Sequence, residues 1–405
     1  MSAVDTTFII VASMLVMLMT PALAYFYGGL VRSRNVLSTS MHSLSMLGLI
    51  SILWALAGFS IAFGPDIGGL VGDFTYTLLR GVTSEPLSNA ESIPGVLFMV
   101  FQCMFAVLTV ALVSGAYAER IHFPAMLLFS ALWLLFVYCP MAHWVWGNGW
   151  LANLGALDFA GGTVVHMTSG AGALAAAHVL GPRMDLRHGG GGLISPHNLP
   201  MTLLGGGLLW FGWFGFNAGS ALTAGPLAAH ALVTTHMAAS AGILGWICVE
   251  WKYTGKPTTL GVVSGALAGL VAITPGAGFV GILPAIFIGF MGGAICYGAV
   301  LLKSRLGYDD ALDVVGIHGF GGTWGALATG IFATAAVNGV DGLAYGNAAQ
   351  MWPQFLSVAA AWIYGYLISR ILLHLVDMVI GLRAKPESEL MGLDISEHNE
   401  RAYQI

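Results

Sequence analysis

Charged side chains are scarce in this sequence, in which Asp, Glu, Lys and Arg together make up only 8% of the residues. A soluble domain carries roughly 25% charged residues, so this chain cannot cover its surface for water. Lys and Arg form no basic stripe of the kind that binds nucleic acid. The cysteines are few and lie in apolar segments without paired spacing, which predicts packing residues rather than a disulfide or metal framework.

Apolar residues, in contrast, account for 57% of the 405 positions and occur in long runs. A helix must cover about 30 Å of hydrocarbon to cross a membrane. Runs of that length lie near 6–31, 39–63, 94–118, 123–143, 159–181, 199–221, 228–251, 258–274, 280–302, 313–335 and 353–382. The sequence therefore predicts an all-α integral membrane protein with eleven transmembrane helices in residues 1–382, followed by a tail at 383–405. No basic segment precedes the first run, so we expect it to remain as a span rather than to be cleaved as a signal peptide.

The placement of Lys and Arg predicts the orientation in the membrane. Most of these residues lie in alternate connections or in the tail: Arg32, Arg34, Arg120, Arg183, Arg187, Lys252, Lys256, Lys303, Arg305, Arg383, Lys385 and Arg401. The opposite connections contain only Arg80, and Arg370 lies within the last span. Because cytoplasmic connections are enriched in Lys and Arg, we expect the N-terminus outside and the tail in the cytoplasm.

The stretch 158–172 is the first candidate for a functional element. Asp158 stands before an apolar helix, and His166 follows it by eight residues, about 12 Å along a helix axis. Gly162 and Gly170 flank His166 at every fourth position, so another helix can approach this face closely. An ionisable side chain inside a membrane helix indicates a function, because hydrocarbon penalises it.

The stretch 313–322 repeats the formula with Asp313 and His318. The two stretches lie in the fifth and tenth predicted spans, and an odd offset makes these helices antiparallel. This pattern predicts two inverted five-helix repeats plus a final helix, with a pathway between the halves. We expect His166 and His318 to meet there. Paired neutral imidazoles present one donor and one acceptor, which suits a small neutral base or a proton relay.

Structural interpretations of these residues stay open beside the functional one. The histidines are also compatible with two separate core residues bonded to backbone carbonyls. A zinc site is disfavoured, because no cysteine or carboxylate is spaced to complete a ligand set. Asp158 and Asp313 are typical of acids in the first turn of a helix. Asp309 and Asp310 are interpreted as capping and ion-pair groups.

The sequence closely resembles the Amt/Mep/Rh ammonium transporter family, in its Amt branch. The resemblance is carried by Tyr-Gly-Gly-Leu-Val-Arg at 27–32, Gly-Ala-Tyr-Ala-Glu-Arg at 115–120, and the stretches 158–172, 213–220 and 313–322. It extends from about residue 6 into the tail at 392–398, and so covers nearly the whole chain. It implies a homotrimer of eleven-span subunits in the cell (inner) membrane, each with one narrow hydrophobic pore.

The resemblance also assigns roles deep in the pore. His166 and His318 match the histidine pair that lines it. Asp158 matches a supporting carboxylate whose role lies between fold integrity and stabilisation of a cation.

At the outer entrance, four more positions match. Phe105 and Phe216 match two stacked phenyl rings that form a gate. Trp146 and Ser220, with Phe105 as a further wall, match the outer ammonium site. On pattern alone, the aromatic residues are more often packing or membrane-interface residues, and Ser220 is an ordinary hydroxyl at a helix end.

The function implied is ammonium transport, without enzymatic activity, cofactor or metal. Ammonium, or methylammonium, is recruited outside and deprotonated, and ammonia crosses with or without the proton. The family's regulatory tail implies packing of residues 383–405 under neighbouring subunits, and a cytoplasmic PII signalling protein as a partner. The Gly-rich loop 189–192 is more glycine-rich than is usual in the family, which leaves its mobility and partner contacts open.

Two other functions are considered. One is an ammonium sensor of the same fold with little or no transport. The other is a membrane hydrolase that uses the Asp/His pairs, for which no activated Ser or Cys motif or metal set is present.

Overall fold

The computed structural model describes residues 1–187 and 195–404, and the Gly-rich loop 189–192 lies outside them. Within the described residues, nine helices are long and apolar enough to cross a membrane. The other two predicted spans are a shorter apolar helix, Thr259–Ile273, and a helix at 315–332. The prediction of an all-α membrane protein with eleven spans is confirmed.

The spanning helices are joined by connections of very different length, the longest being residues 64–94. In chain order they are α1 Ala3–Leu30, α2 Val36–Phe63, α3 Gly95–Tyr117, α4 123–146, α5 Gly162–Leu180, α6 Leu199–Gly219, α7 Pro226–Thr254, α8 Thr259–Ile273, α9 Ile282–Leu306, α10 315–332 and α11 Met351–Ile380. The tail forms two short helices, α12 Pro386–Met391 and α13 Leu393–His398. Smaller elements in the connections are the antiparallel strands β1 Asp66–Ile67 and β2 Val71–Gly72, the helices Trp150–Asn153, Met184–Arg187 and Ala335–Asn338, and the 3-10 turns Thr77–Leu79, Leu343–Tyr345 and Ala348–Gln350.

Four of the spans contain a π-helical segment, in which the backbone is wound more widely than in an α-helix. Two segments interrupt α2 and α4, at Trp54–Gly58 and Leu134–Tyr138. The other two open α5 and α10, at Gly162–Met167 and Val315–Phe320, and each contains one of the candidate histidines. Single π-helical turns inside α-helices are frequent at functional sites. The π-helical segments of α5 and α10 lie at matching positions, as the predicted internal repeat requires.

The outward surface of the helix bundle is apolar. Large apolar side chains on different helices are exposed there, among them Ile52, Phe211, Leu244, Phe355 and Ile363. A soluble protein rarely exposes so large an apolar surface, whereas lipid chains solvate it. The bundle therefore has a surface fit for hydrocarbon on its sides and polar groups at its two ends.

The two ends are named here by what they carry: the N-terminal face holds the start of α1, and the tail face holds residues 383–404. The tail face is built around Glu119, whose side chain is 0% exposed. One of its oxygens accepts from Arg32 Nε at 2.8 Å, and the other from Arg183 Nη1 at 2.8 Å. Arg183 also donates to Asp309, which pairs with the buried Arg120 at 2.6 Å. These buried ion pairs join four connections of the tail face.

The tail is held against the same chain by its carboxylates. Glu389 accepts from the backbone N–H of Met184 at 2.7 Å, and Asp394 accepts from the N–H of Ser38, in the first turn of α2, at 2.8 Å. Glu397 accepts from the N–H of Phe123, at the start of α4, at 3.1 Å. A carboxylate at a helix N-terminus satisfies free N–H groups and interacts favourably with the helix dipole. The tail therefore contributes caps to two spanning helices.

The charge of Glu119 is expected to stabilise the fold in a pH-dependent way. Burial by itself would raise the pKa of Glu119, but the hydrogen bond from Arg32 and the charge of Arg183 outweigh it and lower the pKa to about 2 from the ordinary 4.5. A depressed carboxyl pKa stabilises the folded state above the unfolded value, and this contribution is lost as pH falls from 4.5 towards 2. We expect Glu119→Gln to lower the unfolding temperature at pH 7, because removing one partner of a buried ion pair costs about 3–5 kcal/mol.

Thermal unfolding of the detergent-solubilised protein at several pH values measures this effect. The exposed Glu85 serves as the control, and Glu85→Gln should unfold like the wild type. Equal unfolding temperatures for the Glu119 variant and the wild type at pH 7 would contradict the stabilising role of the cluster.

Candidate functional site

The two histidines of the repeated stretches meet in the interior between α5 and α10. His166 Nδ1 lies 3.2 Å from His318 Nδ1, and the two ring centroids are 5.2 Å apart. The side chains are almost completely buried, with relative exposures of 1% and 9%. Among residues 1–187 and 195–404, no group of three His, Cys, Asp or Glu is placed to hold a metal ion. The described part of the chain therefore lacks the three protein ligands that a catalytic zinc site needs.

The short distance between the two Nδ1 atoms restricts their protons. A hydrogen bond between them requires one Nδ1–H and one Nδ1 lone pair. The ring that donates through Nδ1 then has a bare Nε2, and the ring that accepts has an Nε2–H. Two imidazolium rings in this arrangement would point two Nδ1–H groups at each other. The pair therefore presents one donor and one acceptor edge at a time.

Glycines allow α5 and α10 to approach closely enough for this contact. A Cβ atom on Gly170 would lie 2.4 Å from the Cα atom of Gly319, which no side chain tolerates. A Cβ atom on Gly322 would lie 3.1 Å from the Cβ atom of His166 and 2.9 Å from the carbonyl oxygen of Gly162. The glycine-lined face predicted for α5 is therefore present, and it packs against the second helix of the pair.

Aromatic rings cover the histidine pair on the side of the N-terminal face. Phe105 and Phe216 are stacked with ring centroids 4.2 Å apart and an interplanar angle of 27°. Phe216 in turn lies 6.1 Å from the ring of His166. Both phenylalanines are fully buried, so they close the way to the imidazoles in this conformation.

Trp146 and Ser220 lie next to this phenyl pair. The Trp146 ring meets Phe105 edge to face at 6.0 Å, and its indole N–H donates to the carbonyl oxygen of Asp158 at 2.9 Å. The Ser220 hydroxyl donates to the carbonyl oxygen of Phe216 at 2.8 Å. Because both donors are already engaged, Trp146 offers a π face and Ser220 an oxygen lone pair. These are groups that attract a cation that donates hydrogen bonds.

Asp158 is a backbone-binding carboxylate in the turn that leads into α5. One of its oxygens accepts from the N–H groups of Gly161 and Gly162 at 2.8 and 2.6 Å. The other accepts from Thr163 and Val164 at 2.8 and 3.1 Å. Gly161 has a φ of 118°, a conformation that glycine adopts without steric cost. Asp158 thereby satisfies the free N–H groups at the start of α5 and fixes the carbonyl that binds Trp146.

Asp313 is not the structural counterpart of Asp158. The prediction that Asp313 is the first-turn carboxylate of the helix with His318 was wrong. The backbone of Asp313 has a φ of 61°, and its carboxylate binds Lys303 rather than helix N–H groups. Asp310 stands eight residues before His318, as Asp158 does before His166, and accepts from the N–H of Val315 at 2.7 Å. The predicted capping role of Asp310 and the predicted ion pairs of Asp309 are confirmed.

A narrow cavity of about 20 Å³ continues from the histidine pair towards the tail face. A cavity needs roughly 10–15 Å³ on this measure to hold one water molecule, so this space admits a single small molecule. Its polar lining groups are His166, His318, Trp213 and Tyr27. The remaining lining is apolar: Met19, Leu23, Phe26, Leu108, Leu112, Leu209, Leu267, Leu312 and Ile317. We call this cavity the lumen.

Three further residues shape the site and were not singled out from the sequence. Phe101 packs on Phe105 at 5.0 Å, Trp213 lies 5.4 Å from the His166 ring, and Tyr27 lines the lumen. Helical spacing carried a signal for two of them, because Phe101 and Trp213 precede Phe105 and Phe216 by about one turn. The position of Tyr27 depends on the packing of α1 against α3, which spacing within one helix does not reveal.

The sequence and the fold are both similar to those of known proteins. The family model described as "Ammonium Transporter Family" matches residues 7–403. The chain is 53% identical to the ammonium transporter of Bacillus subtilis (strain 168) over 403 residues, covering 99% of this chain and 98% of that one. Its fold is similar to the crystal structure of Saccharomyces cerevisiae Mep2, with a TM-score of 0.90, 38% identity and coverage of 96% and 88%. A structure titled "Sensor Amt Protein" has a TM-score of 0.91 and 30% identity, with 98% of each chain covered. Since the family model and these relatives span nearly the whole sequence, the chain belongs to the ammonium transporter family.

Proposed function

We propose that the protein transports ammonium across the cell (inner) membrane by conducting ammonia through the lumen. The observation that carries this proposal is the hydrogen-bonded histidine pair, buried behind stacked phenyl rings and beside a lumen with room for one small molecule. The family membership and the ammonium transporter of Bacillus subtilis among its relatives support the substrate.

Recruitment takes place at the N-terminal face. Trp146 and Phe105 offer π faces, and a cation over such a face gains ~0.5–2 kcal/mol depending on desolvation. The Ser220 oxygen adds one hydrogen-bond acceptor, since its own proton is engaged with Phe216. The Asp158 carboxylate lies buried at the start of α5, and the backbone carbonyl of the same residue binds Trp146, so a negative charge there would favour a cation nearby. Ammonium suits this site because it is both a cation and a hydrogen-bond donor.

The ion then gives a proton to water at the outer entrance, which leaves as hydronium, and ammonia enters the lumen. A charge moved into an apolar interior without paired groups carries a penalty far larger than the attraction at the entrance. Ammonia is neutral, is about the size of water, and can both donate to and accept from the two imidazole edges. Potassium has no proton to lose and therefore stays outside. Phe105 and Phe216 must part briefly to let ammonia pass.

The orientation follows from the charged connections. The tail face carries Arg32, Arg183 and Lys303 together with the tail, and connections rich in Lys and Arg lie in the cytoplasm. The N-terminal face, with Trp146, then faces outward. The recruiting site is therefore on the side from which ammonium is taken up.

Residues 383–405 are proposed to act as a regulatory tail in the cytoplasm. The capping contacts of Asp394 and Glu397 with α2 and α4 couple the tail to two spanning helices. A homotrimer and a PII signalling protein that blocks the tail face are the assembly and partner that fit this family. Pull-down with PII, in the presence and absence of nucleotide, tests the partner: retention that responds to nucleotide supports it, and no retention in either condition counts against it.

An ammonium sensor is the second candidate, favoured by the similarity to the structure titled "Sensor Amt Protein". Solid-supported membrane electrophysiology on proteoliposomes given an ammonium pulse separates the two. A sustained current indicates transport with net charge, and an internal pH rise without current indicates neutral ammonia flow. The absence of both signals would leave only the sensor.

The histidine pair is expected to set selectivity. His166→Asp or His318→Glu places a carboxylate beside the lumen, where it compensates the charge of an entering cation. We expect each variant to fold and to change discrimination between ammonium and potassium by about tenfold, which corresponds to about 1.4 kcal/mol. Uptake of potassium and methylammonium in transporter-deficient cells measures this ratio.

The control is His178→Asp, which changes an exposed histidine of the same helix α5. It should leave the ratio unchanged. Wild-type selectivity in both lumen variants would refute the role given to the pair.

Trp146 is expected to act mainly in recruitment. Removing the π face with Trp146→Leu should raise the half-saturation concentration by roughly 2- to 30-fold, the equivalent of the cation–π energy. Trp146→Phe keeps an aromatic face and loses the hydrogen bond to Asp158, so it should shift this concentration less. Methylammonium uptake over a range of concentrations measures both, and an unchanged half-saturation value for the Leu variant counts against the outer site.

A further inference from the structure

The two repeats place a carboxylate at equivalent positions, but the two carboxylates differ in their hydrogen bonds. Asp158 and Asp310 each stand eight residues before a lumen histidine and just before a π-helical segment. All four N–H contacts of Asp158 go to its two oxygens, so both oxygens are satisfied. Asp310 accepts one hydrogen bond of normal geometry, from the N–H of Val315 to Oδ2 at 2.7 Å, and the N–H of Val314 lies near enough to lower the pKa of the carboxyl. Its Oδ1 is buried and has no hydrogen-bond partner among residues 1–187 and 195–404.

Asp310 lies in the wall at the tail-face end of the lumen. Its side chain is 0% exposed, while Leu312, two residues later, lines the lumen. Tyr27 lines the lumen from α1, and its hydroxyl meets the same glycine, Gly115, as the Val314 side chain does at the start of α10. Leu312 and Tyr27, which both line the lumen, thus place the Asp310 carboxyl close to the tail-face end of the lumen.

The surroundings of Asp310 favour a carboxyl that gains and loses a proton near neutral pH. Burial raises its pKa; the charge of Lys303 opposes this and that of Asp313 adds to it, which leaves the pKa at about 6. The Nζ of Lys303 donates to the backbone carbonyl of Asp310 at 2.8 Å and to the Asp313 carboxylate, so it acts on the Asp310 carboxyl through its charge rather than through a hydrogen bond. The titratable groups around Asp310 are Tyr27 from α1, Arg120 after α3, Lys303 from α9, and Tyr308 and Asp313 from its own connection.

We propose that Asp310 is the proton-storing residue of the pathway at its cytoplasmic end, where Oδ1 exchanges a proton with ammonia arriving through the lumen. This inference rests on the proposed function and assigns it a further residue. A buried polar atom of this kind is ordinarily satisfied by a bound water, which can relay a proton between Oδ1 and the lumen.

The exchange is balanced in two steps. First, the O–H bond of Asp310 breaks as its proton passes to the bridging water, and that water gives one of its own protons to ammonia. The products are ammonium, an unchanged water and the Asp310 carboxylate. The carboxylate then takes a proton from hydronium on the cytoplasmic side, which restores the acid. The ammonium that forms is charged, so its return into the apolar lumen carries the same desolvation penalty that excludes ammonium at the outer entrance.

Infrared titration of the reconstituted protein tests the stored proton directly. The wild type should show a protonated-carboxyl C=O band that disappears as pH rises through about 6, and Asp310→Asn should lack that band. A wild type without such a band, or a band that persists in the variant, would overturn the proposal, whether or not the variant transports.

Uptake by proteoliposomes at controlled internal pH tests the role in transport. Wild-type methylammonium uptake should fall as internal pH rises past about 6. Asp310→Asn keeps an oxygen that can cap Val315 but cannot exchange a proton, so we expect uptake at least tenfold slower and independent of internal pH, since positioned proton transfer contributes roughly a hundredfold or more. The control Asp377→Asn changes another carboxylate that caps a backbone N–H on the tail face, that of Leu382, and should retain the wild-type profile.

A wild-type rate and pH profile in Asp310→Asn would reduce Asp310 to a helix cap and overturn the proposal. Absence of uptake by the wild type would instead contradict the proposed function, and the infrared band would still decide whether Asp310 stores a proton.

Discussion

The hydrogen bond between two imidazoles is the contact on which the rest of the structure depends. A distance of 3.2 Å between Nδ1 atoms on two different helices demands that α5 and α10 cross almost in backbone contact. Gly170 and Gly319 make that crossing possible, because any side chain on Gly170 would collide with the opposite backbone. The π-helical segments at 162–167 and 315–320 hold the two histidines at the crossing. Close packing of helices in an apolar environment therefore explains why the whole sequence is rich in glycine and poor in charged residues.

Charge is kept away from the lumen and concentrated at the ends of the bundle. On the tail face, Glu119 and Asp309 are paired with Arg32, Arg120 and Arg183, and these buried pairs tie the connections together. On the N-terminal face, the Asp158 carboxylate is satisfied by backbone N–H groups at the start of α5. Between these layers the described lining is apolar apart from the two imidazoles, an indole and a phenol. An apolar interior between ionic ends favours a molecule that crosses in a neutral form and is charged on either side.

Much of the fold was predictable from the sequence, because hydrocarbon imposes a length and a composition on each span. The eleven apolar runs correspond to the eleven helices, and the family was recognisable from its motifs. The meeting of His166 and His318 was also expected, since an odd offset between two similar stretches predicts antiparallel halves.

The remaining details depend on backbone geometry that residue spacing does not show. A π-helical turn changes the register by one residue and has no sequence signature as clear as a helix cap. The sequence suggested Asp313 as the carboxylate that accompanies His318, because it is nearer in the chain. In the structure Asp313 binds Lys303, and Asp310 occupies the position equivalent to that of Asp158. The engagement of the Trp146 and Ser220 donors, which leaves only a π face and a lone pair for a ligand, likewise required side-chain positions.

Ion selectivity is the property that most directly tests the proposed passage of ammonia through an apolar lumen behind stacked phenyl rings. Proteoliposomes containing the wild-type protein can be supplied with equal gradients of ammonium or potassium, and uptake of each compared with that of protein-free liposomes. We expect accumulation of ammonium and potassium uptake no faster than in the protein-free liposomes. Potassium uptake at a rate comparable to that of ammonium would show that an unprotonatable cation crosses, and would contradict passage as neutral ammonia.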